Sequence, residues 1–152
     1  MLRVLAYIHR MNVVHRDLKP ENIMVRRKEA HQAIDAPSPK QKGAQVVLID
    51  FGFAADIESN KPALLKRCGT VGYIAPECLK RADLDPVPSP KADIYSAGII
   101  LYEMIYGINP FLADPSIPRK EALQNNRKGK VEFNVKPIVH DFPESRHMVT
   151  SY

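Results

Sequence analysis

The sequence predicts a mainly α fold with a few short β strands, and three observations carry that expectation. Residues 91–106 form a nearly continuous apolar run, with Ser89 and Pro90 as a helix start signal and Gly107 as a stop. The β-branched apolar runs are short, at 23–25 and 46–49. A length of 152 residues, with 45% hydrophobic and 26% charged content, suits one globular domain large enough to bury a core.

Taken in order, Leu2, Leu5, Ala6 and His9 fall at helical spacing, so a helix is expected to end near Arg10. Residues 11–14 read as a short extended piece, and 23–25 as a short strand. Residues 28–45 show no sustained periodicity and contain Pro37, Pro39 and Gly43, which predicts a flexible insert. The run at 46–49 is expected to be a buried strand, followed by an irregular segment over 53–74. A short helix is expected from Ala75 to about Arg81, then a proline-rich loop at 82–90. In the long helix, Ile94, Ala97, Ile99, Ile100, Leu101, Met104 and Ile105 leave almost no polar face, so the helix is expected to be the buried axis of the domain. Residues 117–128 predict a solvated amphipathic helix stopped at Gly129, and residues 144–152 a last helix start.

The net charge of +5 is spread over separated basic clusters with acids between them. No aromatic residues interleave these clusters, so the excess reads as solvated surface, with no nucleic-acid partner. Cys68 and Cys78 form no CxxC pair, which argues against structural zinc and suits a reducing compartment. His9 and His15 match no metal motif and read as ordinary structural histidines. The longest apolar stretch, 96–106, is interrupted by Glu103 and is too short to span a bilayer. The N-terminal segment has no acid before Asp17 and gives only a weak resemblance to a targeting peptide. The expectation is a soluble, cytoplasmic protein with no membrane association.

The residues that carry chemistry open with His15-Arg16-Asp17-Leu18-Lys19-Pro20-Glu21-Asn22, a dense polar stretch between apolar segments. Asp50-Phe51-Gly52 follows at a predicted strand end, Ala75-Pro76-Glu77 at a helix start, and Asp93-Ile94-Tyr95-Ser96-Ala97-Gly98 on the long helix. Singly, each has a bland explanation: Asp17 caps a turn, Asn22 is a turn residue, Asp50 is an acid at a strand end. Together, in this order, they do not.

The four motifs resemble the C-terminal lobe of eukaryotic protein kinases, and nearly all of the chain outside 28–45 and 82–90 is covered. The resemblance implies transfer of the ATP γ-phosphate to serine or threonine hydroxyls of protein substrates. That reaction needs an aligned hydroxyl and neutralised phosphate charge. By family analogy Asp17 orients the hydroxyl and accepts its proton, Lys19 neutralises the transferring phosphate, and Thr70 reaches both. Asn22 and Asp50 supply oxygen ligands for Mg2+, and Met24 forms the floor under the adenine, supported by Ile100 and Met104. His15 and Phe51 belong to a regulatory hydrophobic stack anchored by Asp93. Gly52 completes its motif, and Arg16 and Glu77 are structural. Glu21 and Glu103 match positions that hold basic residues near the target serine or threonine. Lys19 with Pro20-Glu21-Asn22 points to the serine/threonine branch, and residues 68–77 to the calcium/calmodulin-dependent and calcium-dependent group.

The pattern also departs from the family. Where relatives commonly carry an activating phosphosite the chain has Lys66, which takes no phosphate and repels Arg16. Ser59 is the other hydroxyl between Asp50 and Gly69, and no activation by phosphorylation at the usual place is expected. No GxGxxG and no strand lysine of the N-terminal lobe occur in the sequence, and the arginine that pairs with Glu77 in relatives is not reached. The expectation is therefore a partial kinase domain, truncated at both ends and inactive alone. Its parts are a catalytic loop at 15–22, an activation segment at 50–77 and a buried helix at 91–106. The alternative is a catalytically inactive binding or scaffold protein.

Overall fold

The computed structural model describes residues 1–27, 44–58, 67–80, 89–114 and 116–133. Among them helices dominate, with two small two-stranded sheets. The first helix, α1 (Leu2–Arg10), buries Leu5 and Ile8 and ends on His9 and Arg10, whose basic groups suit a helix C-terminus. The chain then turns at Asn12, which stands at φ 58°, into β1 (Val13–Val14). A 3-10 turn at Pro20–Asn22 leads into β2 (Ile23–Arg27), which pairs antiparallel with β3 (Ala44–Leu48).

This ribbon is longer than the apolar runs suggest. Arg26, Arg27, Ala44 and Gln45 extend the ladder, because strand pairing is a backbone bond that needs no apolar side chain. The rest of the 28–45 segment lies outside the described residues. β3 is also less buried than expected: Leu48 is 7% exposed, but Val46 and Val47 are half-buried on a ribbon of two strands. The stretch expected to be irregular contains a further strand, β4 (Ala55–Asp56), which pairs Ala55 with Val14 and Asp56 with Val13.

Helix α2 (Pro76–Lys80) is followed by α3 (Pro90–Tyr106) and α4 (Arg119–Lys128). Ser89 caps α3 by accepting the Lys91 N–H at 3.3 Å, Pro90 opens its first turn, and Gly107 ends it at φ 75°. α4 starts after Pro118, whose ψ of 141° is extended, so it begins slightly later than the sequence pattern predicts. Gly129 closes α4 at φ 66°, and a Cβ there would lie 2.6 Å from Pro76 Cγ, where α4 packs on α2. The last predicted helix, 144–152, lies outside the described residues.

The core gathers Leu5 and Ile8 of α1, Leu18, Leu48, Tyr73, Ala97, Ile99 and Ile100 of α3, and Phe111. α3 is not buried all round. Ile94 is 48%, Leu101 53% and Met104 67% exposed, and with Gly98 they form one open stripe. Its apolar composition hid this stripe, since a helix can present apolar residues on a side that the described elements do not cover.

Candidate active site

The loop between β1 and β2 is fixed from both ends and from below. Leu18, 0% exposed, plugs it into the core between Asp17 and Lys19. Ile49 clamps it laterally: its N–H donates to Asn22 O at 3.0 Å, and its carbonyl accepts from His15 Nε2 at 3.0 Å. The first of these bonds continues the β2–β3 ladder, which pairs Ile23 with Leu48, so Asn22 and Asp50 lie at the same end of the ribbon. Since the Ile49 carbonyl can only accept, His15 carries its proton on Nε2. Its Nδ1 then faces the Asp17 N–H at 3.4 Å.

Asp93 on α3 supports the loop from below. It accepts the backbone N–H groups of His15 and Arg16, at 2.9 Å each, and His9 Nε2 at 2.8 Å. Arg16 stands at φ 68° and Asp50 at φ 60°, conformations that non-glycine residues adopt at a cost of about 1–3 kcal/mol each. Such strain persists where surrounding bonds over-determine it, and here it brackets the loop. Arg16 Nε also donates to Phe53 O at 2.7 Å, and the Phe51 ring tilts against His15 at 4.9 Å.

Within this frame Asp17, Lys19, Asn22 and Thr70 come together. Asp17 is 4% exposed, so its carboxylate needs partners. Oδ1 accepts the Thr70 hydroxyl at 2.7 Å; Oδ2 faces Lys19 Nζ at 3.2 Å and Asn22 Nδ2 at 3.4 Å. Lys19 donates to Thr70 Oγ1 at 3.1 Å, which makes the threonine hydroxyl a bridge between acid and base. Asn22 Nδ2 also donates to Asp17 O at 2.9 Å. The result is a buried carboxylate with a cation and two neutral donors beside it. That arrangement can orient a hydroxyl and hold negative charge nearby.

At the ribbon end, Asn22 and Asp50 bring an amide and a carboxylate. Asp50 Oδ1 accepts the Gly52 N–H at 3.2 Å. Their oxygens suit a hard divalent cation completed by phosphate or water. Among the described residues no group of three or more His, Cys, Asp or Glu side chains gathers as a metal cage.

The other predicted residues separate from this cluster. Met24 is 56% exposed on β2 and Met104 67% exposed on α3, whereas Ile100 belongs to the core at 4%. Glu77 is exposed near the start of α2, so the cost of an uncompensated buried charge does not arise there. Glu103 is half-buried and accepts the Tyr73 hydroxyl at 2.6 Å. Burial first, and that bond second, push the Tyr73 hydroxyl far above the ordinary tyrosine range, and Glu21 adds a smaller electrostatic push. Burial likewise raises the thiols of Cys68 and Cys78. Lys66 and Ser59 lie outside the described residues.

Sequence reasoning missed Asn126 and Tyr73 as members of this neighbourhood, and named Ser96 in a motif without giving it a role. Ser96 Oγ donates to Tyr73 O at 2.7 Å, and Asn126 bonds Gly72 and Ile74. The available signal was a fully polar, uncharged side chain in the helix 117–128 on the same face as Ala122.

A family model described as protein kinase domain matches residues 1–149. The chain is 36% identical over 128 residues to human ribosomal protein S6 kinase alpha-2, covering 84% of this chain and 15% of that protein. It is 34% identical over 132 residues to ribosomal protein S6 kinase 2 alpha of Gallus gallus, covering 87% of this chain and 16% of that protein. It is also 34% identical over 160 residues to the meiosis-specific serine/threonine-protein kinase MEK1 of Saccharomyces cerevisiae, covering 95% and 29% respectively. The chain thus spans between 15% and 29% of the length of these curated relatives.

Proposed function

The chain belongs to the protein kinase family, in its serine/threonine branch, and from that membership we propose that it carries the hydroxyl-orienting half of a phosphoryl-transfer site. The observation that carries this reading is the Thr70 hydroxyl bonded to Asp17 at 2.7 Å and to Lys19 at 3.1 Å. Asp17 receives and orients the serine or threonine hydroxyl of a protein substrate and takes its proton. Lys19, in direct contact with Asp17 at 3.2 Å, balances charge on the transferring group, and Thr70 bonds both and fixes their arrangement. Asn22 and Asp50 hold Mg2+, which when bound with ATP neutralises phosphate charge. Met24, half open on β2, contributes to the adenine surface.

Three finer readings follow the same lines. The helical frame with short ribbons supports a C-terminal lobe, acting as part of a complete kinase. Residues 68–77 support a likeness to the calcium/calmodulin-dependent group. Glu21 and Glu103, both acting on the Tyr73 hydroxyl, support a preference for Arg or Lys beside the target residue. Among the described residues no helix is long and apolar enough to cross a membrane. An intracellular location suits the two free thiols.

The test is phosphorylation of a basic peptide library by the protein expressed from its own gene, with Mg-ATP. Asp17→Asn is expected to lower turnover by about 100-fold or more. Equal turnover in the variant, or no transfer by the unaltered protein, would favour the alternative of a non-catalytic binding protein. A library with no enrichment of Arg or Lys would remove the basic preference alone.

A further inference from the structure

Asn126 on α4 is 0% exposed. Burying an amide costs free energy unless both of its ends are bonded, and an apolar residue would fill the same space more cheaply. Both ends are used here on one stretch of chain. Oδ1 accepts the Gly72 N–H at 2.9 Å, and Nδ2 donates to Ile74 O at 2.8 Å. The reverse orientation of the amide would face donor to donor and oxygen to oxygen, so the bonding fixes it. Between those two bonds, Ser96 donates to Tyr73 O at 2.7 Å. Gly72 stands at φ +97°, and a Cβ there would lie 2.7 Å from Leu112 Cδ1, so the segment is held at backbone contact.

The same segment carries Thr70, whose hydroxyl sits on Asp17. Ala122, one turn before Asn126 on α4, lines a cavity of about 400 Å³ together with Thr70, Val71 and Leu112. Asn126 therefore joins two things that a polypeptide substrate meets: the bridge to Asp17 and the wall beside it. Resting on the phosphoryl-transfer reading, we propose that Asn126 is a positioning residue, which clamps residues 72–74 to α4 and thereby holds Thr70 on Asp17. It touches neither nucleotide nor metal ligands, so its loss falls on the protein substrate and spares the nucleotide.

The experiment compares three forms of the full protein expressed from its own gene: unaltered, Asn126→Leu and Asn126→Asp. Leu removes both bonds at similar volume; Asp keeps the acceptor for Gly72 and loses the donor to Ile74. Amide hydrogen exchange at Gly72 is measured beside that of α1, with peptide and ATP kinetics in parallel. In Asn126→Leu, Gly72 is expected to exchange about tenfold faster, the scale of one lost hydrogen bond, while α1 amides stay unchanged. Peptide kcat/KM is expected to fall about tenfold with KM for ATP unchanged. Asn126→Asp, which sets a buried oxygen against Ile74 O, is expected to lose Gly72 protection and peptide kcat/KM at least as far as Asn126→Leu does. Unchanged Gly72 exchange in Asn126→Leu would overturn the clamp, as would a uniform rise through α1, which marks global destabilisation. Faster Gly72 exchange with unaltered peptide kinetics would overturn the positioning role. If the unaltered protein itself transfers no phosphate, the underlying reading fails, a result distinct from any seen only in the variants.

Discussion

The carboxylate of Asp93 holds Arg16 in a left-handed backbone conformation. Its Oδ1 accepts the Arg16 N–H at 2.9 Å while Arg16 stands at φ 68°. Its Oδ2 accepts the His15 N–H and His9 Nε2, so one side chain of α3 ties α1 and the loop at 15–22 together. The strain in the loop is thus balanced by bonds made in a nearly dry site, since Asp93 is 1% exposed.

Removing that carboxylate strands three donors at once, the buried His15 N–H and the part-buried Arg16 N–H and His9 Nε2. Asp93→Ala is expected to lower stability by about 2–5 kcal/mol. Asp93→Asn keeps one acceptor oxygen and is expected to cost about 1–3 kcal/mol. Urea unfolding with an unchanged slope measures both. A loss below about 0.5 kcal/mol for Asp93→Ala, the range of ordinary surface changes, would show that the bonds do not hold the loop.

These tertiary bonds mark where sequence reading stops. The loop at 15–22, the Asp50 motif and the caps of α3 were legible because each is written in adjacent residues. Ser89-Pro90 and Gly107 specify a helix by local backbone chemistry alone. The contact of Asn126 with Gly72 joins residues 54 apart, and that of His9 with Asp93 residues 84 apart. Nothing in the spacing of either pair encodes such a meeting. The open stripe of α3 escaped for a different reason: Ile94, Leu101 and Met104 are as apolar as the buried Ile99 and Ile100, and composition does not say which side the neighbours take. Strand β4 is two residues long and has no pattern to read.

Two glycines give opposite signs. At Gly72, φ is +97° and a Cβ would lie 2.7 Å from Leu112, so Gly72→Ala is expected to destabilise by about 1–3 kcal/mol. At Gly98, inside α3, an added Cβ meets nothing within 4 Å, and Gly98→Ala is expected to stabilise by about 0.5–1 kcal/mol. Thermal or urea midpoints measure the pair. Destabilisation of similar size at both positions would mean that helix α3 has a neighbour on its open stripe.

The hydroxyl of Thr70 is separable from its methyl group. Thr70→Ser keeps the bonds to Asp17 and Lys19, and peptide turnover is expected within about threefold of the unaltered protein. Thr70→Val keeps the shape and removes both bonds. It is expected to lower kcat by about 10–100-fold and to cost about 1–3 kcal/mol of stability, since the buried Asp17 carboxylate loses a donor. Steady-state kinetics on a peptide substrate decide it: equal kcat for Val and Ser would mean that the bridge has no part in the reaction.

The alkaline side of the stability curve tests the Tyr73–Glu103 contact. Burial and the bond to Glu103 raise the Tyr73 ionisation above its ordinary value of 10.0, so the folded state binds its proton more tightly than the unfolded chain. The stability this confers is complete below about pH 10, the unfolded value, and is lost as pH rises through the higher folded value. Cys68 and Cys78, raised by burial from 9.0, act in the same direction and begin to do so at lower pH. Tyr73→Phe removes one of these contributions and leaves the thiols. The fall in urea midpoint between about pH 9 and 11 is expected to become shallower in the variant without vanishing. At pH 8, where Tyr73 is neutral in both states, the variant is expected to lose only about 0.5–1.5 kcal/mol for the missing hydrogen bond. A fall as steep in Tyr73→Phe as in the unaltered protein would place the alkaline sensitivity on the thiols and on Tyr95 and Tyr102, which burial also raises, and would mean that Glu103 does not hold the Tyr73 proton.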